Sequence, residues 1–318
     1  MRLLDQIVGH QEITSKLLDS FVSGQPAQTF LFVGPSGVGK KQVALGLAQA
    51  LLCQQDPRAC GRCAECLRVE KLHHESLKIV ETEGPQIKIE EARQILEFLS
   101  LRSLTPKRVI VIDHAQLMNP QTANALLKIL EEPPEGTVFF LIAPAVAGIL
   151  PTIRSRSRIV RFKPVAEHQM KSKSAAPAWA LKASQGSFER LADLQEQGEQ
   201  ELRRKAAEVL QLLLLDPDFL LNETWRENFK DRMTAHRLIH YWISFLRDVI
   251  VSQKGGLEQV LNQDQSVLIK NLSVFPSDKI LFLLQECVVA EQGFVYNQDA
   301  VLLTEKLAVQ TRRAFYVD

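Results

Sequence analysis

The sequence predicts an α/β protein in its first half, a parallel sheet with helices on both faces, and an all-helical second half. Two observations carry this. Apolar runs suited to buried strands alternate with helical stripes as far as about residue 165, and parallel strands need such crossover helices. Composition then shifts abruptly after Lys163-Pro164 to Lys171-Ser172-Lys173-Ser174-Ala175-Ala176-Pro177, and from about Leu202 only helical stripes remain. Domains are therefore expected at 1–163, 164–200 and 201–318, the middle one short.

In chain order, strands are expected at 30–33, 77–80, 109–112, 138–142 and 159–162. Between the third and fourth lies a clear helix. Asn119 can cap it, Pro120 suits its first turn, Ala123, Leu126, Leu127 and Leu130 form its stripe, and Pro133-Pro134 stops it. In the second half, 236–251 carries Leu238, Ile239, Trp242, Phe245, Leu246, Val249 and Ile250 at helical spacing. Segments 279–289 and 300–315 are similarly amphipathic.

The 318 residues carry a formal net charge of +1, which gives no global pull toward nucleic acid or membrane. Met1-Arg2-Leu3-Leu4-Asp5-Gln6 has no apolar signal core, and no apolar run reaches the roughly 18 residues a membrane span needs. A cytoplasmic protein is expected. In that reducing compartment the five cysteines point to metal or free thiols, not to a disulfide framework.

The glycine-rich loop Gly34-Pro35-Ser36-Gly37-Val38-Gly39-Lys40 joins the first strand to a helix. In such loops the backbone N–H groups cradle phosphates, the lysine reaches their oxygens, and the next hydroxyl ligates Mg²⁺. Here that next residue is Lys41, whose ammonium cannot ligate a cation. The alternative is a glycine turn that serves packing alone. The third strand ends in Asp113-His114, where a Mg²⁺-associated aspartate belongs, although a hydrolase would follow it with glutamate. A plain strand-ending turn is the competing reading of Asp113.

Cys53, Cys60, Cys63 and Cys66 form C-x6-C-x2-C-x2-C. Closely spaced turns let four sulfurs converge at about 2.3 Å on a structural zinc, against the bland reading of four unmetalated cysteines. His73 and His74 are near enough in sequence to replace a cysteine ligand, but solvated loop residues are the expectation, and Cys287 is expected to be a small core residue. Arg154, Arg156 and Arg158 alternate before the last strand. On a strand they share a face suited to phosphate, on a short helix they do not, and a solvated basic face is the third reading.

Together, Leu4-Asp5-Gln6-Ile7-Val8-Gly9-His10-Gln11, the phosphate loop, the cysteines, Asn124-Ala125-Leu126-Leu127-Lys128-Ile129-Leu130-Glu131-Glu132-Pro133-Pro134 and Ser155-Arg156-Ser157 resemble bacterial clamp-loader subunits of the AAA+ class. The resemblance spans essentially the whole chain. It implies an AAA+ domain with a zinc module at 53–66, a small helical lid and an all-α collar. It also implies a pentameric machine that loads the sliding clamp onto primer-template DNA, with gamma or tau motor subunits and a delta subunit as partners.

Matched to the family's motifs, Lys40 is the phosphate-loop lysine, with Gly34, Gly37 and Gly39 around it. Asp113 is the Mg²⁺-associated aspartate, and Ile7 and Val8 line the adenine pocket. Arg156 is the arginine donated in trans to a neighbour's ATP site, and the cysteines bind zinc. Lys41, His114, Ala143 and Glu189 depart from the motor pattern, Glu189 standing where motors place a sensing arginine, with Arg190 adjacent. Ser157 replaces the usual cysteine. The resemblance therefore implies a stator that holds ATP or ADP at most without hydrolysing it, against a gamma/tau-type motor or a zinc-dependent DNA-binding protein.

Overall fold

Each expected strand forms, and its ends lie within one residue of the expected ones. In the computed structural model, which describes residues 1–22, 28–55, 58–82, 84–101, 105–221, 223–295 and 298–316, the strands are β1 (Thr29–Val33), β2 (Leu77–Val80), β3 (Arg108–Ile112), β4 (Thr137–Ala143) and β5 (Arg158–Arg161). All pair in parallel, in the order β2-β3-β4-β1-β5. The connecting helices are α1 (Gln11–Val22), α2 (Lys40–Leu52), α3 (Ala64–Glu70), α4 (Ile89–Ser100), α5 (Pro120–Glu131) and α6 (Pro151–Arg154).

Alternation along the strands splits the core into two faces. Leu31, Val33, Ile110, Ile112, Phe139 and Leu141 pack against Ala92 and Ile95 of α4 and Leu126 and Leu130 of α5. Phe30, Phe32, Val109, Val111, Phe140 and Ile142 pack against Leu17 of α1 and Val43, Leu47 and Ala48 of α2. Because both faces are covered, β1 and β4 read as unbroken apolar runs. The α5 cap forms as its sequence dictates: Asn119 Oδ1 accepts from Thr122 N at 2.8 Å, with Pro120 opening the helix.

The chain divides into two compact units. One comprises Met1–Ser174 and a returning segment, Gln185–Glu189; the other comprises Ala175–Ser184 and Arg190–Asp318. In the second unit, helices Gln197–Leu215, Arg232–Gln253, Ser277–Val295 and Ala300–Tyr316 enclose Leu210, Leu238, Trp242, Phe245 and Cys287. That core also holds an ion pair invisible to periodicity. Buried Arg203 pairs with Asp264, donates to Asn262 Oδ1 at 2.6 Å and lies 4.6 Å over the Trp179 ring. Among the described residues, no helix is long and apolar enough to cross a membrane.

Candidate nucleotide and metal sites

The glycine-rich loop runs from β1 into α2 and lines a cavity of about 390 Å³ together with Asp113, His114 and Glu189. Its turns need glycine: Gly37 sits at φ +70°, and a Cβ there would stand 2.1 Å from Ser187 Oγ. The contact arises because the returning segment docks on the loop, Phe188 N donating to Gly37 O at 2.9 Å. Glu189 is thereby delivered to the cavity. Arg190 lies instead in the second unit, where burial is the main influence lowering its pKa, the charge of Arg203 lowers it further, and the carboxylates of Asp193 and Glu291 raise it.

Lys40 is 7 % exposed, and its Nζ donates to the carbonyls of Gly34 and Pro35 at 2.6 Å each. Burial lowers its pKa, while the carboxylates of Asp113 and Glu189 pull it back up. Lys41 turns to the end of β2, its Nζ 2.7 Å from Glu81 Oε1. Asp113 Oδ1 accepts from His114 N at 2.9 Å, and His114 takes a left-handed conformation. A phosphate group fits the loop's amides and Lys40. The hydroxyl that such loops offer to Mg²⁺ is replaced here by an ammonium already paired with a carboxylate, which leaves Asp113 as the cavity's carboxylate from the sheet.

Of the other residues matched to nucleotide binding, Ile7 packs in the α2-side core with Leu47, and Val8 is half-buried. Neither lines the cavity, and Gly34 shapes the loop from outside it. Ala143 is buried against the other face of the sheet.

The four cysteines converge. All their sulfurs lie within 4.8 Å of one another, with Cys53–Cys63 and Cys60–Cys66 each at 3.9 Å. Sulfurs about 2.3 Å from a tetrahedral ion stand roughly 3.8 Å apart, so the donor set fits zinc. Cys63 N and Cys66 N lie 3.4 Å from Cys60 Sγ and Cys63 Sγ, where their N–H groups favour thiolate. Amides of Arg62 and Cys63 hold Cys60 down at about 6, whereas burial raises Cys66.

One residue that sequence reasoning passed over and one that it misplaced support this loop. Fully buried Gln49 donates Nε2 to Cys66 O at 3.1 Å and Met1 O at 2.9 Å, tying α2 to α3. His74 is not solvated as expected: it is buried, accepts from Ser76 N at 2.9 Å and places Nε2 2.8 Å from Glu65 Oε2, out of line for a hydrogen bond. His73 is exposed. Segment 53–66 includes residues 56 and 57, outside the described residues.

The arginines settle on three different elements: Arg154 ends α6, Arg156 lies in the following turn and Arg158 opens β5. They therefore share no strand face. Arg156 donates Nε and Nη2 to Glu131 Oε2 at 3.1 and 3.0 Å, and Nη1 to Thr152 O at 3.1 Å.

A family model described as "DNA polymerase III, delta subunit" matches residues 9–166. The delta-prime subunit of DNA polymerase III from Bacillus subtilis is 28 % identical over 260 residues, 78 % of this chain and 79 % of that one. The delta-prime subunit of Pseudomonas aeruginosa is 38 % identical over 138 residues, 42 % of each chain. The chain belongs to the DNA polymerase III delta-prime family. Relatives of the chain also include the gamma/tau subunit of Mycobacterium tuberculosis, 32 % identical over 162 residues but only 28 % of that protein's length. A gamma subunit-related protein of Thermotoga maritima shares the fold, with a TM-score of 0.51 at 17 % identity over 94 % of this chain and 99 % of that one.

Proposed function

We propose that this delta-prime family member is a stator of a clamp loader, which does not itself turn over ATP but gives Arg156 to a neighbouring motor subunit's ATP site while the sliding clamp is loaded on primed DNA. The observation that carries the reading is the Lys41–Glu81 pair at 2.7 Å. It removes the loop's metal ligand in cis, and no glutamate follows Asp113 to orient water. Lys40 and the loop amides remain suited to holding ATP or ADP without cleaving it.

Arg156 is suited to action in trans because its planar fork neutralises charge that grows on phosphoryl oxygens. Comparable arginine fingers contribute about 10³–10⁵ in rate. In a machine with several ATP sites, the loss of one slows one interface. Cys53, Cys60, Cys63 and Cys66 hold a structural zinc, which cross-links the segment between α2 and α3. In this reading, 1–163 is the nucleotide-binding-like domain, 164–200 a lid and 201–318 the collar that meets gamma or tau and delta.

The test is ATP turnover by the chain alone, then mixed with motor subunits, clamp and primed DNA, with wild type and Arg156→Ala. No turnover alone, with stimulation in the mixture that Arg156→Ala reduces, is expected. Turnover alone that survives the substitution would make the chain a motor.

A further inference from the structure

We infer that Glu131 is the positioning residue of Arg156, holding its guanidinium side-on while leaving a donor edge open for the neighbour's phosphate. This rests on the reading of Arg156 as an arginine given in trans. A guanidinium has five N–H donors in a rigid plane. Nε–H and one Nη2–H point to a single oxygen, Glu131 Oε2, at 3.1 and 3.0 Å. One Nη1–H points to Thr152 O at 3.1 Å, and Ser155 Oγ lies 3.5 Å from the same nitrogen. The contacts thus flank the guanidinium on two sides. The second Nη2–H, at its tip, has no partner among these contacts, and the side chain is 30 % exposed.

The carboxylate stands on a fixed base. Glu131 is the last residue of α5, whose end is tied to the start of β1 by Thr29 Oγ1 donating to Leu130 O at 3.2 Å. At the C-terminal side Glu132 N bonds Lys128 O at 3.0 Å. A long arginine side chain otherwise samples many rotamers, and fixing it in advance lowers the entropy lost when it meets a transition state. The pair is solvent-exposed, Glu131 by 57 %, so it adds little to folding stability and its removal leaves the subunit intact.

Both bonds land on one oxygen, so a glutamine carbonyl can replace the carboxylate while an alanine cannot. ATP turnover of the assembled complex is measured for Arg156→Ala, Glu131→Ala, Glu131→Gln, the double variant Glu131→Ala/Arg156→Ala, and Glu132→Ala as a neighbouring-carboxylate control. Expected for Glu131→Ala is a fall of roughly tenfold in the kcat of the affected interface with KM nearly unchanged. Glu131→Gln is expected near wild type, Glu132→Ala unchanged, and the double variant no slower than Arg156→Ala alone. Unchanged or raised kcat in Glu131→Ala, or losses that add to those of Arg156→Ala, overturns the positioning role and leaves the arginine's role standing. No effect of Arg156→Ala sinks both.

Discussion

Nε2 of His10 lies 2.9 Å from the carbonyl oxygen of Val38, inside the phosphate loop. Val38 O can only accept, so this nitrogen carries the proton and the imidazole is a strut for the loop. The ring is buried edge-on to Phe162 at 4.8 Å. Burial is the main cause that lowers its pKa, and Lys40 lowers it further, against the Val38 hydrogen bond.

That depression fixes a pH dependence. In the unfolded chain the imidazole takes its proton near the usual 6.5, whereas the folded chain resists until lower pH. The unfolded state binds more protons in that window, so stability is full above about 6.5 and falls as pH drops toward the folded pKa. Thermal melts from pH 7 to 5 should decline less for His10→Gln, whose amide can still donate to Val38. Parallel curves for the two proteins would contradict this.

The cysteine cluster predicts bound zinc. Metal analysis of purified protein should find about one ion per chain. Chelation or Cys60→Ser should lower the melting temperature, at a cost well below the about 10–16 kcal/mol seen where zinc alone drives folding, because a two-faced sheet core persists. Metal-free protein with an unshifted melt would leave the thiols without this role.

Gly37→Ala should destabilise the first unit by about 1–3 kcal/mol, since the backbone is left-handed there and the new methyl meets Ser187 Oγ. Urea unfolding gives the size. Hydrogen exchange at Phe188 N gives the location, because that amide bonds Gly37 O.

Lys41→Thr restores the missing hydroxyl and breaks an exposed ion pair, so stability should move by less than about 1 kcal/mol. Binding of a fluorescent ATP analogue should become Mg²⁺-dependent where wild type is indifferent to the metal. Hydrolysis should stay at background, because His114 supplies no carboxylate to orient water. A variant that hydrolyses ATP would show that the Lys41 substitution alone silences this site.

The strands, the α5 cap and the cysteine convergence were legible because each rests on local periodicity or spacing. The strand order was not, since β1 pairs with β4 and β5 across long stretches of chain. Alternation of Arg154, Arg156 and Arg158 looked strand-like, but Pro151 starts a short helix there and the strand begins only at Arg158. The Arg156–Glu131 and Lys41–Glu81 pairs join residues 25 and 40 positions apart in the sequence, and no motif announces such partners. His74 was misjudged for the same reason: its burial depends on what packs over it.

The return of Gln185–Glu189 to the phosphate loop changes what a truncated protein can report. A fragment ending at Ser174 would have every glycine of the loop and its lysine. It would lack Phe188, which bonds Gly37, and Glu189, which opposes incoming negative charge in the cavity. Nucleotide affinity measured on such a fragment would describe a looser and more anion-tolerant loop than the intact subunit carries.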